Sequence, residues 1–120
     1  MLESKRVFIV DDQTVITTLT TDIVEKLNGE ARSTNNPLMA IDIIFVFKPD
    51  IIILDRRMPE LDGLVILKQL KSDPFLKDIP VIMLTAVNEE EKISESLEAG
   101  AEGYVVKPFK PTSLVKQIMS

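Results

Sequence analysis

Short apolar runs alternate along the chain with longer segments of helical pattern, and this alternation limits the fold more than any other feature. Continuous apolar runs lie at 7–10, 51–54, 81–84 and 104–106, with a weaker strand pattern at 31–34. An unbroken apolar run is typical of a strand buried on both faces. Strands that alternate with helices favour right-handed crossovers and a parallel sheet covered by helices on both sides. The sequence therefore predicts one α/β domain.

Helical segments are predicted at 15–27, 38–47, 61–71, 89–99 and 111–120. In the first, an apolar stripe of Val15, Leu19, Ile23 and Leu27 is predicted to face the sheet. Capping residues set the expected helix ends. They are Gly29 as the left-handed stop of the first helix, Asn36–Pro37 and Asn88 at the starts of the second and fourth, Gly100 at the end of the fourth, and Pro111 at the start of the last.

Composition excludes several classes of function. The chain contains no Cys and no His, so it offers no disulfide, no thiolate metal site, no histidine base and no phosphohistidine of its own. Its 14 Lys and Arg against 19 Asp and Glu are scattered, which argues against direct nucleic-acid binding. No apolar stretch approaches the roughly 18 residues of a membrane span, and the N-terminus does not resemble a signal peptide. We expect a cytoplasmic protein.

Polar side chains follow the predicted strands directly. Asp11 and Asp12, Asp55, Thr85 and Lys107 stand at strand ends, and ligands of open parallel sheets bind at that edge. Clustered carboxylates repel one another unless a cation joins them, and oxygen ligands suit Mg²⁺. One carboxylate can then act as a nucleophile and form an acyl phosphate, with the lysine and threonine contacting the phosphate. Each residue alone has an ordinary structural explanation; the combination predicts phosphoryl transfer.

Four motifs carry a family resemblance: VFIVDD at 7–12, IIILDRRMPELDG at 51–63, VIMLTA at 81–86 and GAEGYVVKPF at 100–109. Together they resemble response-regulator receiver domains over essentially the whole chain. The resemblance implies five parallel strands in the order 2-1-3-4-5 with helices on both faces, the flavodoxin-like arrangement. It also implies a single receiver domain over 1–120, without an effector domain in this chain.

The resemblance further implies the roles of the site residues. Asp55 would be the phosphoacceptor. Asp11 and Asp12 would hold Mg²⁺ together with Asp55 and the backbone carbonyl of Arg57, and Lys107 would pair with the phosphate.

The same resemblance implies a conformational switch and a set of partners. Thr85 would move toward the phosphoryl oxygens and Tyr104 would follow it inward, while the peptide before Pro108 would be cis. The phosphoryl donor would be a sensor histidine kinase or phosphotransfer protein. A downstream protein or a missing effector domain would read the switch. The chain would thus be a signalling domain that assists only its own phosphorylation and dephosphorylation, and not an enzyme.

Two features depart from the family pattern. Arg56 and Arg57 follow Asp55 directly; one hypothesis is that the Arg57 side chain contacts or shields the phosphoryl group, and the alternative is that both side chains face solvent. The second helix carries Ile43, Phe45, Val46 and Phe47 where charged residues are usual. We predict a protein contact there, either self-association or docking to a missing domain, unless a shifted helix hides these side chains.

Three other kinds of protein are alternatives at this point. A phosphate-independent binding module could keep the same fold. A phosphatase with an aspartyl-phosphate intermediate would need Asp-x-Asp after the first strand, where this chain has Asp11, Asp12 and Gln13. A flavin carrier would need a phosphate loop rich in Ser, Thr and Gly, which this chain lacks.

Overall fold

The described residues, 2–86 and 88–119 of a computed structural model, form a five-stranded parallel sheet in the order β2-β1-β3-β4-β5. This is the predicted order. The strands are β1 (Arg6–Val10), β2 (Glu30–Thr34), β3 (Ile51–Asp55), β4 (Val81–Ala86) and β5 (Gly103–Lys107). The helices are α1 (Thr14–Lys26), α2 (Ala40–Phe47), which follows a 3-10 turn at Pro37–Met39, α3 (Gly63–Ser72), α4 (Glu90–Glu98) and α5 (Pro111–Met119).

Both faces of the sheet are covered. Successive side chains of a strand point to opposite faces, so Phe8 and Val10 belong to one apolar cluster and Val7 and Ile9 to the other. Helices α2 and α3 close the first cluster, and α1 and α5 close the second. The three central strands are buried on both faces, which explains their unbroken apolar runs.

Several helix ends differ from the predictions. The left-handed residue after α1 is Asn28, at φ 69°, and not Gly29. Gly29 is needed for space, because a Cβ there would lie 2.8 Å from Cγ1 of Val24. Asn88 does not cap α4, since its own φ is 66° and Glu89 is the residue at the N-cap. Gly100, at φ 109°, ends α4 as predicted.

Asn36 caps the 3-10 turn before α2 and not α2 itself, as its side chain accepts a hydrogen bond from the backbone of Leu38. Helix α2 begins later than predicted, at Ala40. The predicted apolar stripe of α1 is only partly buried, because Ile23 is buried and Leu27 packs on the core while Leu19 is exposed. Val15 is exposed, and Thr17 and Thr20 face the interior instead. The Thr17 hydroxyl bonds within the helix, to the carbonyl of Thr14, whereas the Thr20 hydroxyl has no hydrogen-bond partner among the described residues.

The predicted apolar outer face of α2 is only partly present. Phe47 is buried against Phe8, and the guanidinium groups of Arg6 and Arg32 lie 4.4 and 4.9 Å from the centre of its ring. Ile43 is half-buried and packs on the core. Phe45 and Val46 are exposed, Val46 by 78%, together with Leu38 and Met39 of the preceding turn. A helix on a sheet buries one stripe, so the apolar patch is smaller than predicted and displaced toward the helix start.

Candidate functional site

The register of the sheet gathers the predicted residues at one edge. Val10 pairs with Leu54, and Asp55 pairs with Leu84. Thr85 is the last residue but one of β4, and Lys107 is the last residue of β5, where it pairs with Ala86. The carboxyl ends of β1, β3, β4 and β5 therefore meet. A cavity of about 210 Å³ opens between them, lined by Asp12, Gln13, Asp55, Arg56, Arg57, Leu84, Thr85, Ala86 and Lys107.

Three carboxylates share this edge. One oxygen each of Asp11, Asp12 and Asp55 can be chosen so that all three lie within 4.8 Å of one another. Asp11 and Asp55 are buried, and Asp12 is half-buried. The backbone of Gln13 donates to Asp11, and Asn35 donates to the Asp11 carbonyl at 2.8 Å. Asn35 therefore fixes the backbone of the acidic pair, a role that the sequence did not indicate.

Lys107 neutralises part of this negative charge. Its Nζ lies 2.7 Å from Oδ2 of Asp11 and 3.2 Å from Oδ1 of Asp55. Burial by itself would lower the pKa of Lys107, but the hydrogen bond to Asp11 and the charges of both carboxylates outweigh it and raise the pKa. The lysine is thus held as an ammonium between the carboxylates of Asp11 and Asp55.

The carboxyl group of Asp55 has a pKa near neutral pH. Burial and the charge of Asp11 raise its pKa from 3.8 to about 7, against the opposing effects of Lys107 and the backbone N–H of Arg57. Its second oxygen, Oδ2, is buried and has no hydrogen-bond partner among the described residues. Such an orphaned oxygen costs free energy unless a ligand satisfies it.

A divalent cation fits this donor set. The three carboxylates supply hard oxygen ligands, Lys107 contacts two of them, and Oδ2 of Asp55 is buried without a hydrogen-bond partner among the described residues. Mg²⁺ favours one or two carboxylates together with waters and phosphate oxygens. Asp11, Asp12, Asp55 and the Arg57 carbonyl are the groups that would hold it.

The two residues predicted to form the switch lie in neighbouring strands. Thr85 is buried, and its hydroxyl has no hydrogen-bond partner within the described part of the chain. Tyr104 is 40% exposed and lines a surface groove between β5 and α5. The peptide between Lys107 and Pro108 is cis, as predicted.

The two arginines after Asp55 take different positions. The Arg57 side chain is 69% exposed and pairs with Glu89 through a 3.1 Å contact at the mouth of the cavity. The Arg56 side chain is buried and contacts α4. The alternative that both side chains face solvent is therefore wrong for Arg56. Its partners on α4 lie far along the chain, so sequence reasoning had no local pattern from which to infer it.

Comparison with known proteins agrees with this geometry. The family model described as "Response regulator receiver domain" matches residues 7–119. The phosphate regulon transcriptional regulatory protein PhoB of Pseudomonas aeruginosa is 38% identical over 114 residues, 95% of this chain and 50% of PhoB. The polar-differentiation response regulator DivK of Brucella anthropi is 36% identical over 119 residues, 97% of this chain and 94% of DivK.

A solved structure agrees as well. The chemotaxis protein CheY4 of Vibrio cholerae superposes with a TM-score of 0.90 at 28% identity, covering 97% of each chain. The chain thus spans about half the length of PhoB and nearly all of the shorter relatives. Among the described residues, no helix has the length and apolar character to cross a bilayer.

Proposed function

This chain belongs to the response regulator receiver domain family, and we propose that it accepts a phosphoryl group on Asp55 from a sensor histidine kinase or phosphotransfer protein. The observation that carries the proposal is the buried Oδ2 of Asp55, which has no hydrogen-bond partner among the described residues and lies beside two further carboxylates and the Lys107 ammonium. We take 1–120 as the receiver domain. Output through an effector domain or a downstream protein, and a cytoplasmic location, are parts of the same proposal.

In the reaction, an oxygen of Asp55 attacks phosphorus, and the bond from phosphorus to the donor breaks. The electron pair leaves with the imidazole of a phosphohistidine, or with the carboxylate of a small acyl phosphate. Lys107 is placed to pair with the transferred oxygens as a point charge. Mg²⁺, when bound, would neutralise charge on the carboxylates and the phosphoryl oxygens. Because the pKa of Asp55 is raised to about 7 without metal, cation binding would also favour its nucleophilic, ionised form.

Thr85 and Tyr104 are the proposed switch. The unpartnered Thr85 hydroxyl is a donor that a phosphoryl oxygen on Asp55 would satisfy. Movement of Thr85 toward the phosphate would free space beside β5, into which the exposed Tyr104 ring could turn. Partners would then read the changed surface of α4, β5 and α5.

The exposed part of α2 is a second proposed contact. Leu38, Met39, Phe45 and Val46 are all exposed there, which is a larger apolar grouping than a solvated helix needs. We propose that it binds protein, either a second copy or a domain outside this chain.

Intact-mass measurement after incubation with acetyl phosphate tests the main proposal. The expected result is one added phosphoryl group that requires Mg²⁺ and is lost in Asp55→Asn. Asp78→Asn is the matched control, because it removes an exposed carboxylate outside the site and should still be modified. Absence of modification and of a Mg²⁺-dependent beryllofluoride complex in the folded wild type would support a phosphate-independent binding module instead.

A further inference from the structure

Arg56 joins the phosphoacceptor strand to helix α4. It is the residue after Asp55, and its side chain is only 5% exposed. Its guanidinium contacts one acceptor in the loop before α3 and three on α4. These are Oδ1 of Asp62 at 2.7 Å, the carbonyl of Lys92 at 2.9 Å, Oε1 of Glu95 at 3.3 Å and Oγ of Ser96 at 3.4 Å.

The main chain of Arg56 is also held by hydrogen bonds to neighbouring elements. Its N–H donates to the carbonyl of Leu84 on β4, and its carbonyl accepts from Gly63 at the start of α3. A Cβ on Gly63 would lie 2.1 Å from the carbonyl oxygen of Asp55, so the loop packs directly on the phosphoacceptor backbone. A displacement of α4 is thus opposed by bonds that begin one residue from Asp55.

The contacts of Arg56 are made while Thr85 and Tyr104 occupy the positions that would precede the proposed switch. In this structure the Thr85 hydroxyl has no partner among the described residues, and Tyr104 is turned outward. Only residues 86–89 separate Thr85 from α4. Movement of Thr85 toward a phosphoryl group on Asp55 would pull on this short connection and strain the contacts of Arg56 with α4.

We propose that Arg56 is a positioning residue that holds α4 in its phosphate-free position and thereby couples α4 to the phosphoacceptor site. The inference rests on the proposed function. Breaking the contacts of Arg56 favours the phosphorylated arrangement, because one of the interactions that oppose it is lost. Coupling of this kind is reciprocal. A partner that displaces α4 from Arg56 therefore increases the occupancy of the phosphorylated state.

Arg56→Met tests the proposed coupling without leaving the former hydrogen-bond acceptors of Arg56 unsatisfied. The side chains are of similar length. Asp62 still accepts from the backbone of Leu64, the Lys92 carbonyl still accepts from Ser96, and the half-exposed Glu95 can be hydrated. Replacing a buried ionic contact with an apolar side chain of similar size is generally tolerated.

Beryllofluoride binding in the presence of Mg²⁺ is the readout, since this anion mimics a phosphoryl group on a carboxylate. Arg56→Met should tighten binding roughly fivefold, in the range typical of coupling between two sites. Loss of a positive charge beside the site would by itself weaken binding of an anion, so tightening cannot be an electrostatic effect. Glu95→Gln breaks one of the same contacts and should also tighten binding, beyond the effect of Glu98→Gln. Glu98 lies on α4 but makes none of the Arg56 contacts.

Hydrogen exchange of the α4 amides provides the second measurement. Exchange in 90–98 should be faster in Arg56→Met than in the wild type without beryllofluoride, and the two should converge at saturation. A purely structural role would lower stability without changing the affinity. If folded Arg56→Met binds beryllofluoride no more tightly than the wild type does, the inference about Arg56 is overturned. Binding by the wild type would still support the proposed function. No binding by the wild type would refute the proposed function itself.

Discussion

Replacing Asp55 with asparagine should stabilise the magnesium-free protein near neutral pH. Burial and the charge of Asp11 raise the pKa of Asp55 from 3.8 to about 7 in the native state, whereas the unfolded chain lets this carboxyl ionise freely. A group with a raised native pKa contributes stability that is fully present below its unfolded pKa. That contribution is lost as the pH rises through the native value. Between about pH 4 and pH 7 the wild type should therefore lose stability that the asparagine variant retains.

The magnitude follows from the two pKa values. A rise from 3.8 to about 7 corresponds to at most about 4 kcal/mol at neutral pH. Solvent in the adjoining cavity screens part of this, so we expect about 1–3 kcal/mol. Lys107 remains paired with Asp11 at 2.7 Å in the variant, so the substitution does not leave an isolated ammonium.

Urea denaturation with a chelator, at about pH 5 and about pH 7.5, measures the effect. The free energy of unfolding of Asp55→Asn should exceed that of the wild type by about 1–3 kcal/mol at the higher pH. The difference should be smaller at the lower pH. Asp78→Asn makes the same charge change at an exposed position and should follow the wild type. Saturating Mg²⁺ should reverse the order, because the cation stabilises only the intact carboxylate cluster. An Asp55→Asn variant no more stable than the wild type at neutral pH would refute the reasoning.

Four further substitutions test separate parts of the structure. Lys107→Met should lower the free energy of unfolding by about 3–5 kcal/mol in chemical denaturation, because it leaves the buried carboxylate of Asp11 unpaired. A stability close to that of the wild type would contradict this electrostatic account. Phe47→Ala should cost about 3–5 kcal/mol. Val46→Asn should change the free energy of unfolding by less than about 0.5 kcal/mol but weaken any self-association seen by sedimentation. Similar losses of stability in Phe47→Ala and Val46→Asn would contradict the assigned buried and exposed faces of α2. Arg57→Ala should shorten the phosphoryl lifetime several-fold, as expected for about 1 kcal/mol of lost shielding, whereas an unchanged rate in a chase experiment would remove that role.

The exposed aliphatic and aromatic positions show where sequence patterns were weakest. In α1 the predicted stripe began at Val15, but the interior face carries Thr17 and Thr20. Periodicity identifies a helix and says little about its rotation when a small polar side chain such as Thr17 can be buried with its hydroxyl bonded inside the helix. In α2 only packing against the sheet separated buried Phe47 from exposed Val46.

Apolar runs and the residues directly after them determined the sheet, its edge and the candidate site. These features are local, and parallel strands necessarily bring their carboxyl ends together, so Asp11, Asp55 and Lys107 meet as predicted. The contacts of Arg56 were decided only by the tertiary structure. Its partners Lys92, Glu95 and Ser96 lie 36 to 40 residues away. A buried guanidinium is stabilised by whichever acceptors the fold brings near it, and no spacing in the chain records that proximity.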